Sequence, residues 1–320
     1  MKSKVDRFIL LIVAVILLAY FFPQWGSKSS LLPVNSIASI GISLIFFFYG
    51  LKLSSEQLKN GLQNWRLHLL VQSTTFILFP LLVLPFYPLL QNEKQELLWL
   101  ACLFLAALPS TVSSSVVMTA MAKGNVTAAI FNASISGILG ILITPLWMGL
   151  FLQKTSADFN FSQIYLKLTF EIVVPVILGL SLHRYFGKWA LRYGKQLTQF
   201  DKSVILFIIY KSFSESFMEK IFGTIGVSEL LLLFTIVLVL FFFVYFFTGF
   251  MSRRLNFSIE DQIAAQFCGT KKSLVHGTVF SKIIFGTTPT VGLMLLPLML
   301  FHAIQLIFVS VIATKLGKRK

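Results

Sequence analysis

Ten apolar runs, each near the ~20 residues that span a bilayer's hydrocarbon core, dominate the chain: roughly 8–22, 34–51, 67–90, 96–122, 126–152, 163–182, 202–219, 229–250, 259–284 and 289–314. Nothing else in the sequence restricts the fold so severely. With 56% hydrophobic and only 12% charged residues, and 34 phenylalanines in 320, a soluble core could not hide these side chains. Lipid can. An all-α membrane protein is expected, because a helix satisfies its own backbone groups where water is absent. The run after "MKSKVDR" ends at Phe22 and leads into "PQWGSKSS", with no small-x-small cleavage site. It reads as a retained first helix rather than a signal peptide.

A net charge of +15 would suit a nucleic-acid binder, so its distribution decides. With ten helices and an inner N-terminus, the inner segments carry Lys2, Lys4, Arg7, Lys52, Lys59, Arg66, Lys123, Arg184, Lys188, Arg192, Lys195, Lys202, Arg253, Arg254, Lys315, Lys318, Arg319 and Lys320. The outer loops carry only Lys28, Lys94, Lys154 and Lys220. This is the positive-inside bias of membrane proteins. The expected partner is the lipid bilayer and no nucleic acid, with both termini cytoplasmic.

Enzyme signatures are missing. Cys102 and Cys268 make no C-x-x-C pair or zinc spacing, and His68, His183, His276 and His302 are scattered. There is no H-E-x-x-H or G-x-S-x-G, and Ala264 stands where a phosphate loop ending in "GTKKS" would need its first glycine. No cofactor or metal is expected.

The longest polar stretch, "HRYFGKWALRYGKQLTQFDK", reads as a basic amphipathic turn at the inner surface. It divides the chain into five-helix halves, about 1–155 and 156–320. A five-helix unit ends on the side opposite its start, so the second copy must be inverted, as in many secondary transporters. Both halves carry a polar interruption followed by an apolar stretch, a Gly-containing turn and a helix with Pro145 or Pro297. The first interruption holds Pro109, Ser110, Thr111, Ser113, Ser114 and Ser115; the second holds Gly269, Thr270, Lys271, Lys272 and Ser273. Breaks at matching places in two halves mark a candidate transport site. Asn132, Ser134, Ser136 and Gln266 are further candidates to line it, against the alternative that such small polar residues only pack helices. His276 and His302 read as core residues, and "FFF" at 46–48 and 241–243 as lipid-facing bulk.

"NWRLHLL", "ALPSTVSSSVVMTAMAKGNV", "FCGTKKSL" and "LPLMLFHAIQL" resemble the bile acid:sodium symporter family, over nearly the whole chain and most closely its bacterial sodium-dependent transporter branch. The resemblance implies ten helices in two inverted repeats. Predicted helices 1, 2, 6 and 7 would form a panel, and 3–5 with 8–10 a core in which helices 4 and 9 unwind and cross. Substrate would bind between panel and core beside the crossing, with sodium behind it. The implied location is a bacterial inner membrane.

The family's sodium ligands do not carry over. Its Ser-Asn pair falls on Ser115 and Val116, its helix-5 hydroxyls on Ala129 and Ala133, its glutamate on Phe267, and its Gln-Asn pair on Lys271 and Lys272. Hard cations need several oxygen ligands, so at most a residual sodium site near Ser115 is expected. A lysine at the crossing could act as a tethered cation in sodium's place or attract an anionic substrate; alternatively it only holds the crossing together. Proton coupling would be the natural substitute for sodium coupling. In the panel cavity the candidates are Tyr210, Ser214 and Glu215, although Glu215 could simply pair with Lys211 one turn away. Glu171 reads as pairing with Lys167 in the same way.

The function expected is secondary active transport of a small or amphipathic organic anion by a monomer or weak homo-oligomer. A channel or a non-transporting membrane regulator or sensor is the alternative. An intramembrane hydrolase is disfavoured, since adjacent Lys272 and Ser273 project about 100° apart on a helix.

Overall fold

The structure, a computed structural model, describes residues 7–26, 33–53, 64–155, 161–286, 288 and 290–319. Lys2, Lys4, Lys28, Lys59 and Lys320 lie outside the described residues, and the side chains of Ser113 and Lys154 are outside the description as well. Among the described residues the ordered elements are all helical: α1 (Arg7–Phe21), α2 (Val34–Lys52), α3 (Trp65–Leu89), α4 (Glu93–Ala107), α5 (Ser113–Met121), α6 (Val126–Thr155), α7 (Ser162–Arg192), α8 (Gly194–Met218), α9 (Val227–Arg254), α10 (Ile259–Thr270), α11 (Leu274–Phe285) and α12 (Val291–Leu316). Six helices, α2, α3, α6, α7, α9 and α12, are individually long and apolar enough to cross a membrane, and α1 is a shorter apolar helix.

Polar residues start the helices that emerge from polar loops. Asn92 caps α4 by accepting from the Gln95 N–H at 2.9 Å, with Glu93 and Glu96 in the first turn. Ser258 caps α10, followed by Glu260 and Asp261. Each pattern satisfies an orphan N–H and places negative charge at the positive end of the helix dipole.

The chain divides into two compact units. One comprises Met1–Glu56, Asn160–Ile225 and Thr278–Leu293; the other comprises Gln57–Phe159, Gly226–Gly277 and Met294–Lys320. In the first, α2 and α7 pack backbone to backbone: a Cβ on Gly50 would lie 2.3 Å from the Val176 carbonyl oxygen, and one on Gly179 2.2 Å from that of Phe47. Glycine is required at both, since close approach is what joins helices where lipid removes the hydrophobic drive. In the second, Ala128, Ala129, Ala264 and Ala265 pack α6 on α10 with Leu67, Val71 and Cys268.

Three sequence expectations change here. The stretch from 183 to 202 is helical apart from a turn at Tyr193, because α7 continues to Arg192 and α8 begins at Gly194. The phenylalanine runs are not all lipid-facing. Phe46 and Phe241 are buried, Phe241 against Tyr245 and Phe301, while Phe243 is exposed. Neighbouring residues on a helix point about 100° apart, so three in a row cannot share one face. Glu171 is not paired with Lys167: it accepts from Ser39 of α2 at 3.1 Å and meets Lys282 of α11 at 3.3 Å.

Candidate functional site

Both interruptions read from the sequence are breaks in helix, between α4 and α5 and between α10 and α11, and they lie against each other. The Ser273 N–H donates to the Pro109 carbonyl at 2.8 Å, and the Ser110 hydroxyl donates to the Cys268 carbonyl at 2.6 Å. Pro109 explains the first break. It pushes Leu108 into extended backbone (φ −72°, ψ 151°), since a residue before proline avoids the α region.

A helix ending inside a protein leaves carbonyls that must be satisfied, and at the end of α4 those from Leu105 to Pro109 are. Leu105 accepts from the Leu108 N–H, Ala107 from the Thr144 hydroxyl, and Pro109 from Ser273. Ala106 and Leu108 accept from the Lys272 ammonium at 2.6 and 2.8 Å. The third proton of Lys272 goes to the Thr75 carbonyl at 2.7 Å.

That carbonyl is available for a local reason. Residues Thr74–Leu78 of α3 form a π turn, in which the Phe79 N–H bonds back to Thr74 and bypasses Thr75. Pro80, lacking an N–H, leaves the next carbonyl, Phe76, without its helical donor, and the Trp147 indole takes it at 2.8 Å. The sequence "TTFILFP" thus presents two free carbonyls, and one becomes a lysine ligand. Lys272 is fully buried, its three donors are all used, its ammonium lies 4.0 Å from the centre of the Phe79 ring, and it sits at the negative end of α4. Gln305 of α12 fixes the backbone of Lys272, accepting from its N–H and donating to its carbonyl at 2.9 Å each.

Lys271 differs. It is fully buried as well, yet its ammonium has a single hydrogen bond among the described residues, to the Ser114 carbonyl at 2.8 Å. Beside it, Thr111 shares hydroxyl hydrogen bonds with Ser114 (2.7 Å) and Ser115 (2.9 Å), and Ser115 also reaches the Phe267 carbonyl at 3.4 Å. Two half-helices begin here, α5 at Ser113 and α11 at Leu274, the latter capped by the Ser273 hydroxyl accepting from the His276 N–H. Helix N-termini favour negative charge.

The remaining sequence candidates are spread more widely. Ser136 accepts from the Ser110 N–H and so joins the break. Thr270 is buried beside Lys271, its hydroxyl without a partner among the described residues. Asn132 is one turn away, held by Gln72. Gln266 points elsewhere, to the Tyr245 carbonyl of α9. Tyr210, Ser214 and Glu215 belong to the other compact unit. Glu215 makes the buried local pair with Lys211 at 2.9 Å, and the Tyr210 hydroxyl donates to the Phe22 carbonyl. Breaking one side of a buried pair strands a charge, whereas removing both often does not destabilise. Glu215→Gln alone should lower the thermal midpoint, and Lys211→Met with Glu215→Gln should recover it; a double variant as inactive in transport as the single one would show that Glu215 does more than pair.

The sequence reading missed Thr75, Gln305 and Lys282. Gln305 and Lys282 were discoverable as isolated polar residues in apolar runs, the kind that usually acts where it sits. Lys282 donates to Ser39 as well as to Glu171.

A chain whose described elements are all helical, with several helices long and apolar enough to cross a membrane, two facing helix breaks and no enzyme motif, has the make-up of a multi-pass membrane transporter. Residues 6–318 match the SBF-like CPA transporter family, and the chain belongs to it. It is 40% identical over 315 residues to "Uncharacterized protein PA2026" of Pseudomonas aeruginosa, covering 98% of this chain and 94% of that protein. It is 37% identical to "Putative symporter YfeH" of Escherichia coli, covering 97% and 92%. To the Xenopus tropicalis protein named sodium/bile acid cotransporter 7 it is 34% identical, covering 97% and 91%.

Proposed function

We propose that this protein is a secondary active transporter of a small or amphipathic organic anion, and that the anion is drawn to Lys271. The observation that carries the reading is a fully buried ammonium using one of its three donors among the described residues, beside hydroxyls and two half-helix N-termini. A buried cation with donors to spare is stabilised by an incoming anion. Lys272 serves as a fixed internal cation: it occupies the carbonyls of Thr75, Ala106 and Leu108 as a bound metal ion would, and does not leave.

Sodium fits this region poorly. The hydroxyls of Thr111, Ser114 and Ser115 already bond one another, while Val116, Ala129, Ala133 and Phe267 offer no side-chain oxygen. The name of the Xenopus tropicalis relative speaks of sodium and bile acid; for this chain the proposal is an organic anion with a proton, rather than sodium, as coupling ion.

A ten-helix, inverted-repeat architecture is part of the same proposal, counting α4 with α5 and α10 with α11 as one broken crossing helix each. In support, one compact unit draws on α1, α2, α7 and α8, the helices expected in the panel, and the other on α3–α6, α9, α10 and most of α12; α11 departs from this division, its residues from Thr278 onward falling in the first unit. Cytoplasmic termini follow from the charge bias, and a bacterial inner membrane is the location that the family resemblance implies. Cysteines placed at positions 2 and 320 should both be labelled only from the cytoplasmic side, and labelling from opposite faces would remove the inverted repeat.

The function is tested in proteoliposomes, after a thermal-shift screen of organic anions has identified a ligand that stabilises the folded protein. Saturable uptake accelerated by unlabelled anion inside marks a carrier; ohmic current marks a channel.

A further inference from the structure

The end of α7 carries a row of cations that no part of the described structure uses. Arg184, Lys188 and Arg192 recur every four residues, so they drift only about 40° per step around the helix and form one stripe. Lys195 extends the row past the turn at Tyr193. All four are exposed. None takes part in the ion pairs of the described residues, which join Lys52 to Asp201, Lys94 to Glu229, Lys211 to Glu215 and Lys282 to Glu171. No acidic residue lies between Glu171 and Asp201, and Asp201 is held by Lys52.

Beside this stripe runs an aromatic one. Tyr185 is 73% exposed, Trp189 44% and Tyr193 38%, with the Arg192 guanidinium 5.9 Å from the Tyr193 ring centre. Exposed tyrosine and tryptophan beside lysine and arginine belong at the headgroup level of a bilayer. The length of α7 puts them there. Its 31 residues extend about 46 Å at 1.5 Å each, against a hydrocarbon core of about 30 Å. The nine residues from Arg184 to Arg192 are part of that surplus, because from 168 to 183 the only acidic or basic side chain is Glu171, apart from His183.

We propose that the end of α7 and the start of α8 form a binding surface for anionic phospholipid, whose headgroup phosphates are held along the row Arg184, Lys188, Arg192 and Lys195 while Tyr185 and Trp189 rest on the glycerol and upper acyl region. Unpaired cations are complementary to a phosphodiester, and the aromatic rings to a lipid rather than to a free anion. The surface lies wholly within one compact unit and is independent of what the protein transports.

The test uses the full-length protein in neutral detergent, with dioleoyl phosphatidylglycerol as probe. Dioleoyl phosphatidylcholine and inorganic phosphate serve as the two controls. Retained lipid is counted by native mass spectrometry and binding is followed by thermal shift. Phosphatidylglycerol should bind and stabilise, phosphatidylcholine and phosphate should not, and added salt should weaken the effect. Neutralising the four cations to glutamine should weaken phosphatidylglycerol binding roughly fivefold for each charge removed. Arg253→Gln with Arg254→Gln, at the end of α9, should leave it unchanged. The pairs Arg184→Gln/Lys188→Gln and Arg192→Gln/Lys195→Gln cover the case in which the fourfold variant does not fold. Equal binding of both lipids, or phosphatidylglycerol affinity unchanged in either pair, would overturn the proposal, as would inorganic phosphate reproducing the stabilisation.

Discussion

Lys272→Met should destabilise the protein by about 5 kcal/mol, from three buried acceptors left unsatisfied at ~1–3 kcal/mol each. Methionine keeps the stem volume, so little of the loss comes from a cavity. A counter-argument is that buried ions are costly and neutral replacements are often tolerated. It holds when both partners of an interaction can be removed. Here the acceptors are the backbone carbonyls of Thr75, Ala106 and Leu108, which no side-chain substitution removes. The penalty of orphaning them therefore prevails. Lys272→Arg should recover only part of the loss, since a planar guanidinium cannot aim at three converging oxygens as an ammonium does. Lys271→Met, which forfeits one hydrogen bond, should have a much smaller effect. The measurement is thermal unfolding in detergent, with Lys272→Ala also tested against methylammonium. Partial recovery of that variant by the added cation would show that the carbonyls form a cation site in their own right. A Lys272→Met protein as stable as the parent would mean the ammonium is not what holds the break.

The membrane character and the two breaks could be read from the sequence because each has a one-dimensional cause. Lipid demands uninterrupted apolar length, and proline or paired lysines inside such a run stand out. The partners could not be read, because they depend on which backbone groups a fold leaves over. Nothing in "TTFILFP" announces that a π turn frees the Thr75 carbonyl for a lysine almost two hundred positions later. Gln305 looked like one amide in an apolar helix, yet it pins the backbone of Lys272 from both sides. The local rule that charges pair four residues apart worked for Lys211 and Glu215, which have no competing partner close by in sequence or structure among the described ion pairs. It failed for Glu171, where α2 and α11 supply Ser39 and Lys282 across the fold. The hydroxyl cluster was legible as a group, whereas Gln266, which turns to Tyr245, was not separable from it by spacing alone.

Sodium should not drive this transporter, and Lys271→Gln should cut its uptake by at least about tenfold while leaving thermal stability close to that of the parent. The factor corresponds to losing one charge-assisted contact, ~1.5–3 kcal/mol. The two lysines separate cleanly as probes. Lys272 has every donor committed to the scaffold, so its variants confuse folding with function; Lys271 has one committed among the described residues, so its variants test the proposed contact with the anion. Replacing both, Lys271→Gln with Lys272→Asn, introduces the Gln-Asn pair that the resemblance to the bile acid:sodium symporter family implies at these positions. It does not restore sodium's oxygens, because Phe267, Val116, Ala129 and Ala133 remain. The double variant should therefore be inactive rather than sodium-driven. Uptake of the anion found by thermal shift is measured in proteoliposomes, first under an imposed sodium gradient and then under a pH gradient, for the parent, each single variant and the double variant. Parent uptake that follows the pH gradient and ignores sodium is the expected pattern. Strong sodium-driven uptake persisting after both substitutions would leave the lysines as scaffold alone, and the anion would have to be held by the hydroxyls of Thr111, Ser114 and Ser115 and the half-helix ends without them.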